Sequence, residues 1–323
     1  MKAIVQDRYG SPDVLELREI DQPVPTDHEV LVRVQASSIN ALDWHFMRGD
    51  PYLARSDMGI GAPKVKVRGR DLAGTVVAVG ANITRLRPGD EVFGEADGAF
   101  AEYAAVPDGR VDRKPANLTF EQAAAIPLAG TTALMGLRDV ARVEPAQRVL
   151  INGASGGVGT FAVQVARAYG ADVTAVCSER NADLVRSIGA DHVIDYRRQD
   201  FTRGDQLYDV VFDLVGNHPM GALRRTLTPT GLIVLSGGGV FTGGSVFGPM
   251  WLILQGKLME RFTSRVAVLA EKASTANLAA LRDLAEAGKL TPAIDRTYPL
   301  KDVPEAIRYV EQDHARAKVV ITV

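Results

Sequence analysis

The sequence predicts an α/β chain in which a small, irregular β-barrel or sandwich precedes a doubly wound parallel sheet. Three observations carry that expectation. A length of 323 residues suits about two domains, each with its own core. Over the first hundred residues the strands are short and bounded by turn residues, without helical periodicity. From Gln147 onward, wholly apolar runs alternate with helical segments, the mark of parallel strands buried on both faces.

In chain order, residues 29–36 read as a strand with Val30, Val32, Val34 and Ala36 on one face. Residues 71–80 and 90–93 follow as strands, the second introduced by the turn Arg87-Pro88-Gly89-Asp90. Near Pro115 the texture changes. Thr119-Phe120-Glu121-Gln122 is a capping box that opens an alanine-rich helix, so a second domain is expected over 119–270, after a first over 1–118. Its strands are read at 148–151, 173–177, 192–194, 209–215, 232–235 and 265–269. Residues 271–323 hold a helix (277–287), an extended piece (291–298), a helix (303–312) and a last strand (317–323). That strand is expected to return to the first domain, alongside Ala3-Ile4-Val5.

Composition narrows the function. Hydrophobic residues make up 46% and charged residues 24% of the chain, as in an ordinary globular protein. With 37 Lys and Arg against 39 Asp and Glu, the net charge of −2 supplies no field that would recruit nucleic acid or anionic lipid. The single cysteine, Cys177, rules out an intramolecular disulfide and a Cys-rich zinc site, and fits a reducing compartment. The first residues lack the apolar core of a secretory signal. The longest apolar stretch, 246–254, is broken by Gly248-Pro249 and falls short of the roughly 20 residues of a spanning helix. A cytoplasmic protein without membrane or nucleic-acid partners is expected.

The strongest chemical signal is Val149-Leu150-Ile151-Asn152-Gly153-Ala154-Ser155-Gly156-Gly157-Val158-Gly159, followed by Phe161, Ala162, Val165 and Ala166 at helical spacing. A strand that enters a glycine turn at a helix start lets backbone amides approach a pyrophosphate, and the helix dipole favours its charge. Gly153, Gly156, Gly157 and Gly159, with Ser155 on the same loop, are therefore expected to bind a dinucleotide. The next strand ends at Cys177, and Ser178-Glu179-Arg180-Asn181 should meet the adenosine ribose. Ser178 and Arg180 form a donor set suited to a 2′-phosphate, which favours NADP(H) over NAD(H). Glu179 conflicts: if its carboxylate faced the ribose, the preference would reverse.

Read together, these features resemble the medium-chain dehydrogenase/reductase superfamily, and within it the zinc-free quinone oxidoreductase, zeta-crystallin-like branch. The resemblance spans essentially the whole chain. It is carried by Ser38-Ile39-Asn40-Ala41-Leu42-Asp43, Gly69-Arg70-Asp71-Leu72-Ala73-Gly74, residues 87–94, Ala99-Phe100-Ala101-Glu102-Tyr103, Gly130-Thr131-Thr132-Ala133, the glycine loop and residues 189–196. It implies a GroES-like β-barrel catalytic domain built from both chain ends, with a Rossmann domain inserted. The zinc-dependent relatives bind metal through a Cys and a Gly-His-Glu motif; here those positions are Asn40 and Gly69-Arg70-Asp71, which implies no metal. The five histidines (His28, His45, His192, His218 and His314) show no metal-ligand spacing.

Without a metal to stabilise an alkoxide, hydride transfer favours an acceptor that is already electrophilic, a quinone or an α,β-unsaturated carbonyl. Its oxygen then needs hydrogen-bond donors and a proton. By resemblance, Asn40 lies near the nicotinamide and His45 stands where the branch usually carries a tyrosine, so these two are the candidate catalytic residues. The resemblance also implies Thr131 near the nicotinamide, Gly156, Gly157 and Val158 at the pyrophosphate, and Ser178 and Arg180 at the 2′-phosphate. Tyr196, Val215, Gly216, Ser236, Gly237 and Gly238 are implied further around the nucleotide, with Lys318 reaching a phosphate from the last strand. A small hydrophobic carbonyl or quinone substrate and a homodimer complete the picture. The competing readings are an aldehyde or ketone reductase, an enoyl-thioester reductase, and a non-enzymatic NADPH sensor or RNA-binding protein.

Overall fold

The computed structural model describes residues 1–236, 250–260, 263, 265–312 and 315–323, arranged as two compact units. One gathers residues 1–131 and 273–323, and the other the described residues of 132–236 and 250–272.

The first unit opens with an antiparallel pair, β1 (Lys2–Gln6) and β2 (Leu15–Glu19). The long strand β3 (Glu29–Ile39) leads into α1 (Ala41–Arg48) and the short α2 (Arg55–Met58). Strands β4 (Asp71–Val79), β5 (Glu91–Glu95), β6 (Tyr103–Pro107) and β7 (Val111–Arg113) follow, then the helices α3 (Phe120–Ala124) and α4 (Pro127–Leu134). The alternation in β3 does what its period requires: Val30, Val32 and Val34 point into one core with Leu72, Val76, Val92 and Val106.

The second unit holds β8 (Arg148–Asn152), α5 (Gly157–Ala168), β9 (Asp172–Cys177), α6 (Ala182–Ser187), β10 (His192–Asp195) and β11 (Tyr208–Asp213). After them come α7 (Met220–Arg225), β12 (Leu227–Leu235), α8 (Met250–Glu260) and β13 (Val266–Val268). All six strands are parallel, in the order β10-β9-β8-β11-β12-β13. Chain direction across the sheet reverses between β8 and β11, the point at which such sheets bind ligands beyond their carboxyl ends.

The chain then returns to the first unit through α9 (Thr275–Glu286), β14 (Ile294–Pro299), α10 (Val303–Glu311) and β15 (Lys318–Thr322). Its main sheet runs β14-β15-β3-β4-β5-β7, with β6 also paired to β3. The α/β fold with a barrel built from both chain ends is thus as expected, with two corrections. The last strand pairs antiparallel with β3, Val319 opposite Ile39, and not with the first strand. Strand β1 has β2 on one side and bridges to Ala101 and Val67 from Ala3 and Val5, which leaves it no edge to offer. The second domain also begins later than residue 119. Helix α3 buries Ala123 and Ala124 and packs against β3, β4 and β15, so it belongs to the barrel, and the division falls within α4. Five residues carry too little apolar surface to found a core of their own. Among the described residues, no helix is long and apolar enough to cross a membrane.

Candidate active site

The candidate nucleotide loop, in the second unit, is made of backbone. Strand β8 ends at Asn152, Gly153 turns the chain at φ +88°, and α5 starts at Gly157. The Gly156 N–H donates to the Gly153 carbonyl (3.1 Å) and Thr160 N–H to that of Gly156 (3.0 Å). The amides of Gly157, Val158 and Gly159 therefore have no intrahelical acceptor. A β-carbon at Gly159 would lie 2.1 Å from the Gly153 carbonyl oxygen, so only glycine lets helix and strand approach this closely. At Gly156 a β-carbon would meet nothing nearer than 3.4 Å, which leaves a cradle open over the loop.

Side chains missed by sequence reasoning hold that loop in shape. Asn152 Nδ2 donates to Asp213 Oδ1 (2.9 Å) and Asn217 Oδ1 (2.9 Å). Asp213 Oδ1 also accepts the N–H groups of Val215 (3.1 Å) and Gly216 (3.0 Å), which turns that segment around the end of β11. Ser236 N–H bonds to the Asp213 carbonyl (3.2 Å). Asn181 Nδ2 donates to Ser155 Oγ (2.9 Å), tying the ribose segment to the glycine loop. Only residue type at a strand end signalled Asn152 and Asp213; Asn181 stood in the segment expected at the ribose, with nothing in the sequence to show its bond to the glycine loop. Gly237, Gly238 and His314 lie outside the described residues.

At the ribose end, Ser178 is buried beyond β9 and Arg180 is exposed. The competing carboxylate is engaged elsewhere, because Glu179 faces Arg198 (3.3 Å). That pairing favours the phosphate reading of Ser178 and Arg180. Tyr196 is exposed after β10, its backbone N–H on the Cys177 carbonyl (3.2 Å). The Cys177 thiol is pushed up to about 11, first by burial and then by Asp195, so it is not a nucleophile.

The cluster around Asn40, in the first unit, is made of buried side chains. Asn40 caps α1, and its Nδ2 donates to Asp71 Oδ2 (2.9 Å) while its Oδ1 accepts from Lys318 Nζ (2.6 Å). Asp71, fully buried at the start of β4, also accepts from Ser38 Oγ (2.9 Å), Lys318 Nζ (3.3 Å) and the Leu128 N–H at the start of α4 (3.0 Å). The last contact adds the positive end of a helix to the donors around the carboxylate. Asp43 accepts from the Asn40 N–H (2.8 Å), and its carboxyl is pushed up to about 6, chiefly by burial, with Asp71 adding to it. Lys318, expected to reach a phosphate, is instead committed within this cluster. The residue before it, Ala317, sits at φ +61° where the resemblance has glycine, a conformation that disfavours any β-carbon.

His45 is drawn out of the proposed chemistry. Its Nδ1 lies 2.8 Å from the Asp50 carbonyl, so that nitrogen carries the proton and donates it. The ring stacks on Trp44 at 3.6 Å, and burial holds its pKa below the ordinary 6.5. Near neutral pH it is an uncharged imidazole with no proton to give from Nε2.

A nicotinamide dinucleotide fits these residues. In the second unit Asn181 Oδ1 and Asp213 Oδ2 are buried polar atoms without a protein partner and the loop over Gly156 is open; in the first, Thr131 Oγ1 is likewise buried without a partner. A metal does not fit: Asn40 and Arg70 replace the family's ligands, and among the described residues no three His, Cys, Asp or Glu are grouped to hold one.

Comparison with known proteins gives the same outline. Residues 26–116 match the alcohol dehydrogenase GroES-like domain, and residues 188–321 match the zinc-binding dehydrogenase family. The chain is 35% identical over 358 residues to the mitochondrial NAD(P)H oxidoreductase RTN4IP1 of Bos taurus, covering 100% of this chain and 89% of that protein. It is 34% identical to the chloroplastic NADPH-dependent alkenal/one oxidoreductase of Arabidopsis thaliana, covering 99% of this chain and 79% of that one. The quinone oxidoreductase from Coxiella burnetii superposes with a TM-score of 0.85 at 30% identity, covering 100% of this chain and 99% of that chain.

Proposed function

The chain belongs to the medium-chain dehydrogenase/reductase superfamily, in its zinc-independent, quinone oxidoreductase-like branch, and from that premise we infer how its residues divide the work. It is an NADPH-dependent, metal-free oxidoreductase for quinone and enone acceptors. The observation that carries the mechanism is that the position of a zinc ligand is filled by an amide, Asn40, clamped between an ammonium and a carboxylate.

When bound, NADPH supplies the hydride. The amides of Gly157, Val158 and Gly159 would hold its pyrophosphate and Ser178 and Arg180 its 2′-phosphate, and Thr131 would offer its unpartnered hydroxyl to the nicotinamide. As hydride reaches the acceptor's electrophilic carbon, the conjugated electron pair moves onto the carbonyl oxygen. Asn40 donates its second N–H to that oxygen and stabilises the developing charge. A proton from water completes the reduction.

The test follows NADPH absorbance over quinones, enones, aldehydes and an enoyl thioester, with a chelator present. Turnover of quinones or enones that survives the chelator is expected. Activity confined to aldehydes, or abolished by the chelator, overturns the reading. A cytoplasmic location and a homodimer go with the proposal; cell fractionation and light scattering on the eluting protein check them.

A further inference from the structure

We propose that Lys318 and Asp71 are positioning residues that fix the flip of the Asn40 amide, so that an N–H and not the carbonyl is offered to the reacting oxygen. The proposal rests on the role given to Asn40 above.

An asparagine side chain is nearly symmetric in shape, and only its partners decide which end is which. Here the partners carry opposite charges. The Lys318 ammonium can only donate, and it sits on Oδ1 at 2.6 Å; the Asp71 carboxylate accepts from Nδ2 at 2.9 Å. A flipped amide would set its carbonyl against the carboxylate and its N–H groups against the ammonium, so both contacts would turn repulsive. The Lys318 and Asp71 side chains are 2% and 0% exposed, so water offers neither an alternative partner. Of the two Nδ2 hydrogens, Asp71 takes one, and the other is the donor left for the acceptor oxygen.

Sheet register builds the clamp. Ser38 stands opposite Asp71 across β3 and β4, and Ile39 opposite Val319 across β3 and β15, which brings residues 40, 71 and 318 to one end of the sheet. Ser38 Oγ and the start of α4 hold the carboxylate in turn. Ala317 accepts a left-handed backbone immediately before Lys318. Strain retained at one position is expected where the direction of the next side chain matters.

The test is Lys318→Met, read by fluorescence titration of NADPH and by steady-state kinetics with an enone. A donor that acts in the transition state appears in kcat and not in substrate binding. The expected result is a loss of about tenfold to a hundredfold in kcat, with the NADPH Kd and the acceptor KM within about twofold of the parent. An unchanged kcat overturns the proposal, and so does an NADPH Kd weakened by about tenfold with kcat intact, which would return Lys318 to a phosphate. Should the single variant not fold because Asp71 is left buried and unpaired, the neutral pair Lys318→Met/Asp71→Asn removes both charges, and the same readouts apply. Parent enzyme that reduces no acceptor from NADPH would defeat the functional reading, whereas active parent with unaffected variants would defeat only the clamp.

Discussion

Two regions, the glycine loop in one unit and the Asn40 cluster in the other, are built on opposite principles. Around the nucleotide loop the functional groups are peptide amides, and what matters is where a β-carbon cannot be. Around Asn40 they are charged side chains sealed from water, and what matters is that each donor meets an acceptor. The first region should therefore tolerate changes of charge and fail on a methyl group, while the second should tolerate isosteres and fail on imbalance.

The largest expected effect breaks the loop by volume alone. In Gly159→Ala the new β-carbon would lie 2.1 Å from one carbonyl oxygen and 2.7 Å from the backbone of Ala154, and only backbone is available to give way. A loss of about 3 kcal/mol or more is expected in thermal or denaturant melts, with NADPH binding lost alongside. Gly156→Ala is the control. Its β-carbon meets nothing within 3.4 Å and its φ of −82° suits alanine, so stability should hold while the methyl stands in the phosphate cradle. NADPH affinity should fall by about tenfold. An unchanged Kd in that variant would remove the phosphate from the loop.

A second prediction sharpens the charge-balance half. The Asp43 carboxyl is raised from 3.8 to about 6, first by burial and then by Asp71, against the opposing pull of the Asn40 N–H, Arg68 and Lys318. A carboxyl raised in the folded state contributes stability below its unfolded pKa and loses that contribution as pH rises through the folded one. Parent stability should therefore decline between about pH 4 and pH 6 on account of this group, by about 3 kcal/mol. Asp43→Asn keeps an oxygen for the Asn40 N–H and removes the titration. It should match the parent near pH 4 and exceed it near pH 8 in denaturant melts. Parallel curves for the two proteins across that range would show that burial of the charge at Asp43 is not a liability.

The contrast also explains what was legible in the sequence. The nucleotide loop is contiguous: a strand, its glycines and a helix lie within one short stretch, so local chemistry was enough to read it. The acceptor cluster joins Asn40 to Asp71 across 31 positions and to Lys318 across 278. Nothing local links those residues; the register of β3 with β4 and β15 does. Asp71 was visible only as a lost zinc motif, and Lys318 was placed on a phosphate because its partner could not be seen. Glu179 was ambiguous for a related reason, since the arginine that engages it, Arg198, follows the next strand. The start of the second domain was misplaced because a capping box marks a helix and not the core against which that helix packs.

The smallest expected effect concerns His45, which lies near the cluster in sequence but is not part of its hydrogen-bonding. Its only proton near neutral pH is given to the Asp50 carbonyl, and burial lowers the pH at which a second would bind. His45→Asn places an amide N–H close to where Nδ1 stood, so it can preserve that bond while deleting Nε2. Turnover of an enone should then stay within about twofold of the parent. The pH profile of kcat should keep its shape between about pH 5 and pH 8, because a ring that takes no part in the proton transfer adds no limb to it. A tenfold fall in kcat with an unchanged melting temperature, together with the loss of a decline in kcat as pH rises, would make Nε2 the proton donor after all. In that event the Asn40 cluster could not work through a fixed amide alone, and the trait it shares with the glycine loop, the use of non-titrating N–H groups, would be lost.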